Sequence, residues 1–288
     1  MHQREVKGIL SAQGGMNISR GCTHGCIYCD SRSKCYHIEH NFEDVEIKSN
    51  APALLEDALK RKRKKCMIGT GAMSDPYIPV PENLSNIRAC LEIIEKHGFG
   101  LAIQTKSDLI LRDMDLLRAI NEKAKCIVEM TLTTFDENLC KIIEPNVCGT
   151  QRRFEVLKIL RDNGIQTVVW LCPFLPFIND TEENLRGLLD YCVEAGVFGF
   201  IYFGIGLTLR EGDREYFYSK LDEHFPGLKK MYQQKYGLNY VINSDNNDSL
   251  TKLFYDVCEK HRIVCGNEAV FKYMWTFEEK KGAQIELF

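Results

Sequence analysis

The stretch Gly21-Cys22-Thr23-His24-Gly25-Cys26-Ile27-Tyr28-Cys29 carries three cysteines at the spacing C-x₃-C-x₂-C. Thiolates are the ligands of iron–sulfur clusters, and three on one tight loop can hold three irons of a cubane [4Fe–4S] cluster. The fourth iron is then left without a protein ligand. An open coordination position separates a catalytic metal site from a closed structural one. Zinc is the competing reading. It wants four N or S ligands, commonly as paired C-x₂₋₄-C units. His24 offers a fourth ligand, but from inside the loop, where reaching the same ion is strained. Gly21 and Gly25 flank the turn and allow backbone conformations that other residues resist. Cys22, Cys26 and Cys29 are therefore the candidate metal ligands and catalytic centre; three unrelated buried thiols are the remaining alternative.

This loop resembles the signature of the radical S-adenosylmethionine (SAM) enzymes. The resemblance implies two cofactors, a [4Fe–4S] cluster and SAM. In that family the open iron chelates the amino and carboxylate groups of SAM, and an electron passed into the sulfonium releases a 5′-deoxyadenosyl radical. An external electron donor of the flavodoxin or ferredoxin type is implied with it. Tyr28 fills the position where the family carries an aromatic against the adenine.

Something must hold that loop. Residues 1–15 are polar and Gly-rich and read as a lead-in, and Met16-Asn17-Ile18-Ser19-Arg20 as a short strand delivering the cysteines. A helix over residues 51–65 follows, then strands alternate with helices. Strands are expected at Cys66–Gly69, Leu101–Thr105, Ile127–Leu132, Gln166–Leu171 and Phe198–Phe203. Helices are expected at Leu84–Lys96, Met114–Asn121, Arg153–Asp162 (stopped by Asn163-Gly164) and from a Thr181 cap onward. Counting the first strand, six β/α units result. Regular alternation implies parallel strands with right-handed crossovers. The expected fold is a partial (β/α)₆ TIM-type barrel over residues 1–203, also the fold the resemblance implies. An α-rich C-terminal extension, residues 204–288, packs on it, with helices near Glu211–His224 and Leu250–His261, a loop at 244–248 and a free tail. In such barrels chemistry sits at the C-terminal ends of the strands.

The expected strand ends carry a closer resemblance, to the spore photoproduct lyase-like branch, over roughly residues 16–200. It rests on Gly69-Thr70-Gly71-Ala72-Met73-Ser74-Asp75-Pro76-Tyr77, Thr105-Lys106-Ser107, Leu111-Arg112-Asp113, Glu144-Pro145 with Arg153, and Pro173-Phe174-Leu175-Pro176 with Asn179-Asp180. Those lyases repair a UV-linked thymine dimer in DNA, which implies a nucleic acid lesion or modified nucleotide as substrate. The matching Ser there donates to the SAM carboxylate, a role that falls here to Ser74. Lys106 is a cation suited to the same carboxylate. Thr131 and Thr133 point one way off their strand by its period of two, either to bind ribose or carboxylate or as plain β-formers. Glu144 with Arg153 reads as a structural ion pair rather than a cofactor contact. One departure matters: the lyases carry a hydrogen-returning cysteine two residues before that Ser, and here the position is Ala72. Tyr77 or Cys172 are candidate substitutes.

The chain of 288 residues is 44% hydrophobic and 27% charged, an ordinary globular balance. Its net charge of −3 excludes a global basic field for nucleic acid. The run Lys60-Arg61-Lys62-Arg63-Lys64-Lys65 reads as a solvated helix end, with a phosphate-contacting patch as the alternative. No apolar run is long enough to span a membrane and no secretory signal is apparent. Thirteen cysteines then point to a reducing cytoplasm. Cys35 is either an extra ligand or a packed thiol, and Cys258 with Cys265 are too few for an auxiliary cluster. The tail Gln284-Ile285-Glu286-Leu287-Phe288 resembles the Gln-x-x-Leu-Phe peptides with which bacterial repair proteins dock on the sliding clamp; a frayed terminus is the alternative. The expectation is a radical SAM enzyme acting on nucleic acid. Its rivals are radical modification of a peptide or small metabolite, and a non-catalytic iron or zinc protein that senses redox state or binds nucleic acid.

Overall fold

The computed structural model describes residues 1–280. Gln284, Leu287 and Phe288, the expected clamp-docking residues, lie outside the described residues. The chain begins with strands β1 (His2–Arg4), β2 (Gly15–Met16), β3 (Ser19–Arg20) and β4 (Glu46–Lys48). Helix α1 (Ala51–Arg61) opens the regular part. It continues through β5 (Met67–Thr70), α2 (Pro81–His97), β6 (Gly100–Thr105), α3 (Met114–Lys123) and β7 (Cys126–Thr131). Then come α4 (Glu137–Ile143), α5 (Thr150–Asp162), β8 (Gln166–Trp170), α6 (Glu182–Ala195) and β9 (Gly199–Ile201). The remainder holds β10 (Gly206–Thr208), α7 (Asp213–His224), α8 (Leu228–Tyr236), β11 (Val241–Asn243), α9 (Asn247–His261) and α10 (Asn267–Trp275).

Six parallel strands form the main sheet in the order β2-β5-β6-β7-β8-β9. This is the partial TIM-type barrel. Strands buried on both faces read as near-continuous apolar runs, as Cys126-Ile127-Val128 does. Alternate residues separate cleanly. Ile68, Leu101, Ile103, Val128, Met130 and Val169 face the helical layer. Met67, Ala102, Ile127, Val168 and Ile201 face inward, where Val270 and Met274 of α10 cover them. The Trp275 ring stands over Gly69, where a Cβ would come within 2.4 Å of it.

The expected first strand is not one element. Residues 15–16 join the main sheet, whereas Ser19 and Arg20 pair antiparallel with β4 in a separate sheet of order β1-β4-β3. The chain bends between them, and the second half leads directly into the cysteines. The lead-in also contains β1, parallel to β4. The basic run is settled by topology. It ends α1 and precedes β5, so it lies at the N-terminal ends of the strands, opposite the mouth. There Lys60 pairs with Glu56 at 3.0 Å and Lys65 with Glu279 at 3.0 Å. No helix among the described residues is long and apolar enough to cross a membrane.

Candidate active site

The cysteine loop is clamped from several sides. Cys22 N donates to Phe42 O at 3.0 Å, Ile27 N to Ile143 O at 3.0 Å, and Asn146 N to His24 O at 3.1 Å. Asn146 Nδ2 reaches Thr23 O at 2.9 Å. Gly21 and Gly25 adopt φ of +82° and +73°. A Cβ on Gly21 would meet Phe42 O at 2.4 Å. Only glycine fits so close an approach in that conformation. Cys26, Ile27 and Tyr28 pack into an apolar cluster with Leu207, Leu209, Phe217 and Tyr232.

Buried charge surrounds the loop. Asp75 Oδ1 accepts from Tyr77 N and Thr105 Oγ1, both at 2.8 Å, and Oδ2 accepts from Lys106 N at 2.8 Å. His24 Nδ1 approaches Asp75 Oδ2 at 3.5 Å, and burial pushes the His24 pKa down although Asp75 opposes this. Glu144 bridges two partners: Tyr28 OH donates to Oε1, and Arg153 Nη1 sits 2.5 Å from Oε2. Both members of that ion pair are fully buried. Burial alone would raise the Glu144 carboxyl, but Arg153 and Lys106 hold it below its ordinary value. The pair is structural, as expected, since removing either member would strand a buried charge.

The ligand candidates need a partner. Burial, with Asp75, pushes the Cys22 thiol up to about 12, and burial pushes Cys26 well above the ordinary range with Lys106 opposing. Thiolates here are costly unless a metal supplies compensating positive charge, which deprotonates a coordinating thiol outright. The three sulfurs do not all lie within 4.8 Å of one another. Sulfurs on one tetrahedral zinc at the usual bond length stand ~3.8 Å apart. A cubane presents its irons at separate corners and takes a wider set. The loop thus offers no preformed zinc tetrahedron, and its wider set of thiols is one that a cubane could take.

The other expected site residues divide. Lys106 is half-buried, with its ammonium 5.9 Å from the Tyr28 ring centroid. Burial works against its charge, but Cys26, Glu144 and Asp75 outweigh this and its pKa is raised. Among the described residues no carboxylate lies within 4.0 Å of Lys106. Thr131 is 3% exposed and its Oγ1 has no hydrogen-bond partner. Lys106 meets the loop at Tyr28, and Thr131 ends the neighbouring strand β7. Ser74 departs from expectation: its hydroxyl donates to Gly21 O at 2.5 Å and pairs with Ser19 Oγ at 2.9 Å. It secures the loop's first turn rather than offering a free donor. Thr133 departs too. The strand stops at Thr131, so the pleat no longer aims residue 133, whose hydroxyl pairs with Thr134 Oγ1 at 3.1 Å. Ala72 is exposed. Tyr77 is fully buried in the helical-layer core. Cys172 is half-buried beyond β8, with its thiol pushed up to about 12 by burial and opposed by Lys106.

Two residues escaped the sequence reading. Asp75 passes for a turn residue beside Pro76, yet it links the ends of β5 and β6 to His24. Glu129 lies two residues before Thr131 on the same inward face and accepts Trp170 Nε1–H at 2.6 Å. Burial raises its carboxyl to about 7. The signal was present: a carboxylate inside an apolar strand.

Comparison with known proteins bears on the family and the fold. A protein of Methanocaldococcus jannaschii with no assigned role is 35% identical over 176 residues, which is 60% of this chain and 65% of that relative. The chain thus spans just under two thirds of that relative's length. Another, from Mycobacterium tuberculosis, is 27% identical over 256 residues, 86% of this chain and 74% of the relative. A solved spore photoproduct lyase with bound AdoMet and dinucleoside spore photoproduct matches with a TM-score of 0.62 at 12% identity, covering 86% of this chain and 74% of that one. A radical S-adenosylmethionine methyltransferase from Kitasatospora setae, with cobalamin and a [4Fe–4S] cluster, matches at 0.59 and 13% identity, covering 88% and 54%. At these identities the likeness is one of fold. The model of the radical SAM superfamily matches residues 16–192, the stretch from the cysteine loop through the fifth crossover helix, and the chain belongs to that superfamily.

Proposed function

We propose that this radical SAM enzyme holds a [4Fe–4S] cluster through Cys22, Cys26 and Cys29 and acts on a nucleic acid lesion or modified nucleotide. One observation carries the cofactor assignment: the three-thiol loop brings the Tyr28 ring to 5.9 Å from the Lys106 ammonium, beside the unpartnered Thr131 hydroxyl that ends the neighbouring strand β7. When bound, the cluster supplies the electron for reductive cleavage of SAM, with 5′-deoxyadenosine as the readable product. Lys106 presents a cation to the SAM carboxylate. Thr131 offers a hydroxyl proton to that carboxylate or to the ribose. Tyr28, its hydroxyl tied to Glu144, keeps its ring in one orientation against the adenine. Ser74 positions the loop through the Gly21 carbonyl, and Thr133 braces the end of β7 through its carbonyl, which accepts from Asn179 and Asn184, and its hydroxyl, which pairs with Thr134. Of the two candidate hydrogen donors, Cys172 is the one near the mouth. An electron donor of the flavodoxin or ferredoxin type and sliding-clamp docking through Gln284, Leu287 and Phe288 belong to the same proposal, as does the division at residue 203.

The substrate rests on likeness of fold to the spore photoproduct lyase. A second reading, modification of a peptide or small metabolite, is favoured by the net charge of −3 and by the position of Lys60–Lys65 far from the mouth. The non-catalytic alternative fails on family membership. Anaerobic protein given a reductant and SAM should release 5′-deoxyadenosine, and Cys26→Ala should reduce this to background. Persistent release by that variant would show the ligand assignment to be wrong. Mass spectrometry of nucleosides from cells lacking the protein should reveal one that accumulates. Accumulation confined to a peptide or metabolite would favour the second reading.

A further inference from the structure

A second cluster of potential ligands lies on the outer side of the cysteine loop. In the small sheet, β1 runs parallel to β4 with His2 opposite Glu46. His40 approaches from the preceding loop, its ring 4.9 Å from that of His2 at 87°. One ligand atom from each of His2, His40 and Glu46 lies within 4.8 Å of the other two, the only such trio among the described residues. We propose that His2, His40 and Glu46 bind one first-row divalent cation of the zinc type, distinct from the cysteine-bound cluster.

The imidazole tautomers carry the argument. His2 Nδ1 sits 3.0 Å from Asp44 Oδ2, and His40 Nδ1 sits 2.9 Å from Asn41 O. An oxygen acceptor at Nδ1 calls for Nδ1–H, so in each neutral ring Nε2 keeps the lone pair that a metal takes. His40 Nε2 is shielded from solvent and has no hydrogen-bond partner. His2 Nε2 lies 3.8 Å from Glu46 Oε2, too far for a hydrogen bond. Two ligands on a tetrahedral zinc stand ~3.4 Å apart, so a small side-chain adjustment brings the pair onto one ion. Glu46 is only 3% exposed.

The outer contacts hold both the ring and the carboxylate in place, with Asp44 shared between His2 and the Met1 ammonium. Asp44 on His2 makes a carboxylate–histidine pair, and Arg4 Nη1 holds Glu46 Oε2 at 3.0 Å. Two imidazoles and one carboxylate suit zinc or ferrous iron with positions left for solvent. The trio opens on a cleft of about 610 Å³, roomy enough for that solvent. An ion here would clip β1 to residues 40–46. That segment supplies Phe42 O to Cys22 N, so the ion would stiffen the outer wall of the cysteine loop.

The test uses anaerobic, cluster-loaded protein equilibrated with zinc chloride, desalted, and analysed for zinc and iron by mass spectrometry. Wild type should hold about one more zinc per chain than the variant H2Q/H40Q, with iron equal in both. The variant H2Q alone alters only a half-exposed ring and guards against misfolding of the pair; it should lose the same zinc. Asp44→Asn should weaken zinc binding by about 10–100-fold through the Nδ1 contact. Equal zinc in wild type and H2Q at equal iron would overturn the proposal.

Discussion

The inner face of the sheet differs sharply between its two ends. At the lower end Met67, Ala102, Ile127, Val168 and Ile201 meet Val270 and Met274 of α10 in a dry apolar layer. At the upper end the same strands present Lys106, Thr131 and Cys172, of which Thr131 has an unpartnered hydroxyl. Ile127 and Thr131 stand four positions apart on β7, about 13 Å of strand. One strand therefore serves packing at its start and chemistry at its end, with Glu129 at the border. The helix that completes the lower layer comes from the last part of the chain, and it concentrates the apolar packing of the inner face away from the mouth. That leaves the mouth free to keep polar groups that packing alone would reject.

Truncating the lower layer should have the largest effect on stability. Met274→Ala removes a side chain that is 1% exposed and should cost about 2–5 kcal/mol, read as a lower urea midpoint. 5′-Deoxyadenosine release per folded molecule should stay unchanged. An equal fall in that specific release would show that the two ends are coupled.

The border residue comes next. The Glu129 carboxyl ionises near 4.5 in ordinary surroundings and at about 7 in the folded chain, because of burial. It binds its proton more tightly when folded, so its contribution favours folding at low pH and is lost as pH rises from about 4.5 through 7. Glu129→Gln should therefore flatten the decline in stability across that window, by about 1–3 kcal/mol at pH 8 relative to wild type. Parallel pH profiles of the unfolding midpoint for the two proteins would show Glu129 to be ionised throughout and move the border downward.

The smallest effect belongs to the upper layer. Thr131→Val keeps the shape and removes a hydroxyl with no internal partner. Stability should hold, while the KM for SAM should rise about tenfold, the worth of one hydrogen bond to a charged group. An unchanged KM would make Thr131 a plain β-former and reduce the upper layer to Lys106.

Legibility followed the same division. The cysteine loop and the β/α rhythm could be read because each rests on local pattern: fixed spacing, alternating apolar runs, and caps such as Thr181, whose hydroxyl accepts from Asn184 N. What could not be read depends on distant partners. Ser74 looks like a free donor until Gly21 O arrives beside it from 53 residues away. Tyr77 looks available until its ring is seen among the outer helices. The small sheet of β1, β3 and β4 has strands of two or three residues, too short for a period to register. Helix α10 is not among the expected helices, and nothing local says that its apolar side lines the sheet's inner face. His2, His40 and Glu46 are scattered over 45 positions and become a group only through the pairing of β1 with β4.

The floor beneath the cysteine loop has a consequence for the order of assembly. Cys26, Ile27 and Tyr28 rest on Leu207, Phe217, Tyr232 and Ile242, so the loop's burial closes chain segments of about 180–215 residues. Contacts of such separation form late, after the local β/α units have condensed. During synthesis Cys22 finds its packing partners Phe42, Val45, Ile47 and Ile78 early, whereas Cys26 and Cys29 leave the ribosome long before their floor exists. For that interval they are exposed on an unfinished barrel, open to insertion machinery and to oxidants alike. Arrival of the last third of the chain then seals whatever the loop has acquired.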